Sequence, residues 1–147
     1  MTTWNDISGT ASPWVHRLDE SLVAQLLNRA SGWPGTVVTL EGSLMRTAPT
    51  LFGVFASAFK FPDYFGDNWA AFHESMTELE AMPAKGYLTV IRRSELLLAD
   101  DPADLPTFIR QLGSIGQHWS RSFGLGPQWG GGEVPFRTLF SVAEPIH

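Results

Sequence analysis

The sequence predicts an α/β fold, a small parallel sheet with helices packed on it. Three observations point there. Runs rich in β-branched and aromatic residues recur along the chain: TVVTL at 36–40, YLTVI at 87–91 and FRTLFSV at 136–142. Between them lie segments whose apolar residues repeat at helical spacing. Strands alternating with helices make βαβ units, which place the strands parallel with right-handed crossovers. The runs are also close to continuously apolar, as strands covered on both faces should be.

The elements follow in order. Residues 1–12 are polar, with Gly, Ser and Thr, and are expected to be a loose lead-in. Trp14–Leu18 (WVHRL) reads as a short strand, and Leu22, Val23, Leu26, Leu27 and Ala30 then mark a helix. Asp19 or Ser21 can cap it, with Gly32 and Pro34 past its end. After the strand at 36–40, a short helix over 50–59 carries Leu51, Phe52, Phe55 and Phe59. The loop FPDYFGDN leads into a helix over about 68–82 that Pro83 closes. The strand at 87–91 is followed by one helical turn at 95–99. A helix then opens on Pro102 at its first position and reaches about Arg121. It carries Leu105, Phe108, Ile109, Leu112 and Ile115. Gly124–Gly132 is a glycine-rich loop before the last strand.

Composition narrows the function. A chain of 147 residues is one domain by length, and 44% apolar with 17% charged residues suits a packed core, not a disordered chain. No apolar run spans a bilayer, and MTTWNDISGT has neither the basic nor the apolar part of a signal peptide, so a cytoplasmic location is expected. With no Cys there is no disulfide, thiol nucleophile or Cys-based metal site. A net charge of −5 and pI near 5.2 argue against nucleic-acid binding through a basic face. The negative charge is concentrated. Residues 61–104 hold nine acids and three bases, whereas the rest of the chain holds six acids and seven bases. A solvated acidic face and a surface for a cationic partner are the two readings.

Catalytic motifs fail one by one. His73-Glu74 starts a zincin signature, but Thr77 stands where the second His belongs. His16, His118 and His147 share no ligand spacing, so no metal is expected. There is no G-x-S-x-G elbow and no P-loop, and the glycines at 124–132 precede a strand instead of joining strand to helix. Glu74 and Glu78 share an open helix face without a cleft for acid–base work. The chain is therefore expected to be neither an enzyme nor a cofactor carrier.

The helix after FPDYFGDN is the informative one. At about 100° per residue, Trp69, Phe72, Met76 and Leu79 form an apolar stripe, the expected core face. Asp67, Ala71, Glu74 and Glu78 fall on the opposite face, with Ala70 beside them and His73 at the border. Carboxylates separated by alanines let a partner approach closely. A merely solubilising face would more often mix Lys with Glu at i, i+4. In the loop, Tyr64 and Phe65 flank Gly66, which permits a positive φ or a close backbone approach, and Asp67 or Asn68 can cap the helix. One of the two rings is expected to pack inward and the other to face out.

The run Phe61-Pro62-Asp63-Tyr64-Phe65-Gly66-Asp67-Asn68-Trp69-Ala70-Ala71-Phe72 resembles the signature of the barstar family. More loosely the resemblance extends over about 36–142, with strands and helices in the family's order. It implies a barstar-like fold with three core strands in a parallel sheet, in a single domain over 1–147 whose core is 36–143. The strand and helix over 13–35 are then an extension that can add a strand to the sheet. It also implies a function: cytoplasmic inhibition of a basic, secreted ribonuclease of the barnase kind, as a toxin-immunity protein. The inhibitor is expected to be a monomer when free and to bind one to one, plugging the cationic active site with its acidic helix and preceding loop. Glu74 matches the family's dominant phosphate-mimicking acid, and Tyr64, Gly66 and Asn68 match loop contacts. Phe65, Asp67, Ala70, Ala71, His73 and Glu78 complete the expected surface, with Asp104 as a further acidic contact. There are departures: Ala70 stands where a second acid is usual, His73 replaces an aromatic, and Glu74 is one methylene longer than the usual Asp. The alternative is a module of the same fold whose protein partner is not a ribonuclease.

Overall fold

A computed structural model describes residues 2–121 and 134–143. Four strands, β1 (Val15–Asp19), β2 (Thr36–Glu41), β3 (Tyr87–Arg92) and β4 (Phe136–Val142), form one sheet in the order β1-β4-β3-β2. Every neighbouring pair is parallel, as the alternation of strands and helices predicts. The strand at the N-terminal end is the added one, and it lies at the edge beside β4, Val15 opposite Thr138.

The helices divide between the two faces. On one, α1 (Trp4–Ser8) and α2 (Glu20–Ala30) cover the sheet, where Ile7, Val23, Leu26 and Ala30 meet Leu88, Val90 and Leu139. On the other, α3 (Ala48–Ala58), α4 (Trp69–Glu78) and α5 (Leu105–Ser120) enclose a larger core with Tyr87, Ile91, Phe136 and Phe140. Aromatics dominate that core. Phe55, Phe72 and Phe108 meet edge to face at centroid separations of 5.1–6.0 Å, a geometry favoured by the ring quadrupole.

Several expectations change. TVVTL is not buried on both faces: Val37 and Thr39 are exposed while Leu40 is buried. The reason is position, because β2 is an edge strand and α2 covers β3 and β4 instead. The helix expected to reach residue 82 ends at Glu78, where Leu79 turns left-handed at φ 45° and buries its side chain. The strain of a non-glycine residue there is of order 1–2 kcal/mol, and burial of Leu79 offsets it. Pro102 opens a 3-10 turn over Pro102–Asp104, and α5 starts three residues later with Pro106 in its first turn. Ile109 lies on the solvent side of that helix. The short helix starts at Ala48, with Thr47 as its cap, and not at residue 50. The glycine-rich loop at 124–132 lies outside the described residues.

The lead-in is not loose either. Thr3 and Asp6 form a capping box for α1, and Ile7 is 2% exposed. Arg137, the second residue of β4 and 1% exposed, fastens the segment. Its Nε donates to the carbonyl of Ile7 (3.3 Å), Nη2 to Gly9 (2.7 Å), and Nη1 to Ala11 (2.7 Å) and Pro13. One guanidinium thus satisfies four main-chain acceptors. Among the described residues no helix is long and apolar enough to cross a membrane.

Candidate functional site

The loop between α3 and α4 is locked from inside. The Phe61 N–H reaches Ala56 O (2.9 Å), and the Phe65 N–H closes a turn onto Pro62 O (3.0 Å). Phe65 turns inward, edge to face with Phe61 at 4.9 Å and Phe52 at 6.0 Å. Tyr64 turns outward and is 84% exposed, so the two adjacent rings do divide between core and solvent. Asn68 is the helix cap. Its Oδ1 accepts from Ala71 N–H (2.8 Å) while its Nδ2 donates to Gly66 O (3.0 Å). The left-handed residue here is Asp67, φ 49°, and not Gly66. What Gly66 provides is clearance, since a Cβ on it would lie 3.1 Å from Asn68 Nδ2.

Along α4, Phe72 and Met76 are fully buried and fix the orientation of the helix. Ala70, Glu74 and Glu78 are exposed, with Ala71 half-buried between them. Trp69 is a correction to the expected core stripe. It is only half-buried, packs edge to face on Phe52 at 4.8 Å, and donates its Nε1–H to Asp104 Oδ1 at 3.3 Å. Asp104 is therefore held against the first turn of α4. His73 is half-buried and joins the two helices through Nε2 to Ser114 Oγ, 2.9 Å. Sequence reading missed Ser114 because it lies 41 residues away and belongs to no local pattern.

Glu95 aside, the acids of residues 61–104 fall into two groups. Asp100 forms a forked pair with Arg46 (3.0 and 3.1 Å), whose guanidinium holds its carboxyl below the usual range. Asp101 accepts from Ala48 N–H (2.8 Å) at the start of α3, and Asp104 holds the Trp69 indole. These acids stitch the fold. Asp63, Asp67, Glu74, Glu78 and Glu80 enter none of the described ion pairs, which are Arg46–Asp100 and Arg93–Glu41. Five uncompensated carboxylates thus gather on the loop, the outer face of α4 and the turn after it.

Tyr64 and Glu78 line a common cleft of about 110 Å³ with Lys60, Ser75 and Glu80. The last turn of α5 stands near the far end of α4. There burial pushes the His118 imidazole below its ordinary pKa, helped by His73 and opposed by a hydrogen bond with the Thr77 backbone. Among the described residues no group of three or more His, Asp or Glu side chains is arranged to hold a metal ion.

Comparison with known proteins bears on the whole of this surface. A family model described as Barstar (barnase inhibitor) matches residues 35–140, which include the loop, α4 and α5. A search of curated proteins returns no match.

Proposed function

This chain belongs to the barstar family, and from that premise we propose that it inhibits a small, basic, secreted ribonuclease of the barnase kind. One observation supports this most: the carboxylates of the loop and α4 enter none of the described ion pairs, and on the outer face of α4 they are spaced by alanines. A phosphodiester-binding groove is lined with cations. Glu74 sits mid-helix on the exposed face, where a carboxylate can take the place of a phosphate. Ala70 and Ala71 allow the helix close to the groove floor. Tyr64 supplies an exposed aromatic anchor, a residue type enriched at binding hot spots. Phe65 packs inward, and with the exposed Gly66 and Asn68 it holds Tyr64 and Asp67 in place on the same surface. His73 and Asp104 border the face from the α5 side. Inhibition needs no chemistry on the inhibitor, only shape and charge. The protein acts inside the producing cell as an immunity protein, a single domain with a core over 36–143, monomeric when free and bound one to one.

Titration of a barnase-type ribonuclease against a fluorogenic RNA substrate tests this. Stoichiometric inhibition that Glu74→Ala relieves and Lys85→Ala does not is the expected result. A ribonuclease unaffected by excess protein, alongside tight binding to a basic protein without nuclease activity, would move the assignment to another partner of the same surface.

A further inference from the structure

The cleft beside Tyr64 has a chemistry of its own. Phe61 and Pro62 give it an apolar wall, and Glu78 and Glu80 bring two carboxylates to its margin. Ser75 also lines it. The residue is 9% exposed, and its hydroxyl enters none of the described side-chain hydrogen bonds. Helical hydroxyls commonly bond back to a carbonyl one turn earlier, as Thr77 does to His73 O (2.9 Å). Ser75 instead lines a cleft of about 110 Å³, where its hydroxyl can meet an incoming group.

We propose that this cleft is a subsite for an arginine side chain of the protein partner. This rests on the partner-binding reading of the acidic face. The three features fit one ligand head. A planar guanidinium stacks on an aromatic ring, forks onto a carboxylate and still has an N–H for a hydroxyl acceptor. Tyr64, Glu78 and Ser75 offer these in turn, while Phe61 and Pro62 suit the aliphatic stem. Lysine has a point charge without a face to stack, so it fits less well. Lys60 lies on the same rim and opposes an incoming cation. It pairs with neither glutamate, which keeps both carboxylates available.

The test uses N-acetyl-arginine amide as probe, titrated into the full chain and followed by ¹⁵N–¹H correlation spectra. Saturable shifts are expected at the amides of Tyr64, Ser75 and Glu78, with weaker binding of N-acetyl-lysine amide and none of the neutral citrulline analogue. Glu78→Gln should weaken arginine binding about two- to fivefold, and Lys60→Gln should strengthen it. A wild-type-like spectrum shows that each variant is folded. An equal response to citrulline, or shifts at Glu74 with a silent cleft, would overturn the subsite. Ribonuclease inhibition without an arginine response overturns the subsite and leaves the inhibitor standing. An arginine response without inhibition supports the subsite and counts only against the ribonuclease.

Discussion

Arg137 and the outer face of α4 handle charge in opposite ways. Arg137 is almost wholly buried, and four carbonyls from its own chain surround its guanidinium. Glu74, Glu78 and Glu80 are exposed and enter none of the described ion pairs. A charge satisfied within the chain contributes to stability. A charge left open contributes little to the fold and retains its full interaction for something else. The contrast separates residues that hold the molecule together from those left open to solvent, which composition alone does not do.

The largest expected effect breaks the first half of the comparison. Arg137→Met should lower unfolding stability by about 3–5 kcal/mol in a urea melt, because four carbonyls lose their donor. Glu74→Ala in the same melt should change stability by no more than about 0.5 kcal/mol. The second half is tested by binding. Glu74→Ala should weaken the ribonuclease complex by about 2–5 kcal/mol in a calorimetric titration, since it leaves the partner's cation buried and unpaired. If these two substitutions changed places, the division would be wrong.

Trp69→Phe probes the border between the two classes. It removes the indole N–H and leaves the half-buried Asp104 carboxylate without that donor, a loss of about 1–2 kcal/mol of stability by denaturant melt. Salt sharpens the picture further. The association rate constant should fall by about tenfold or more as the Debye length shrinks from about 10 Å toward 3 Å, with dissociation changing less. Glu78→Gln with Glu80→Gln should flatten that slope in stopped-flow traces. An on-rate indifferent to salt would mean that the acidic face does no steering.

The smallest effect is the pH response. Burial lowers the pKa of His118 and of His16, so the folded state holds fewer protons than the unfolded chain just below about pH 6.5. Their contribution to stability is complete above that value and is lost as pH falls below it. The melting temperature should dip slightly between neutral and mildly acidic pH, and His118→Asn should reduce the dip.

Much of the fold was legible because its signals are local. The strand runs, the apolar stripe of Phe72, Met76 and Leu79, and the Phe61–Phe72 signature all lie within short windows. Position in the sheet was not legible: TVVTL looks as buried as YLTVI, and only the strand order makes one an edge and the other central. Helix α1 was missed although Thr3 and Asp6 have capping-box spacing and Trp4 and Ile7 lie three apart. The contacts that partition the acids could not be read, because they span 35 residues for Trp69–Asp104 and 53 for Ala48–Asp101. In the candidate site, Glu74, Glu78 and Tyr64 stood out by type and spacing. Ser75 was missed, because its sequence neighbours give a small hydroxyl beside an apolar stripe no distinguishing pattern.

The strand order also sets a schedule. β4 is made after the other three described strands, yet it lies between β1 and β3. A nascent chain that ends before residue 136 can pair β2 with β3, but β1 has no neighbour and the N-terminal segment has no Arg137 to grip. Pairing residue 15 with residue 138 joins segments 123 residues apart, the kind of distant contact that slows folding. Truncation at the C-terminus therefore removes the middle of the sheet and not its margin. A segment made before β2 and β3 is thus among the last to find its place.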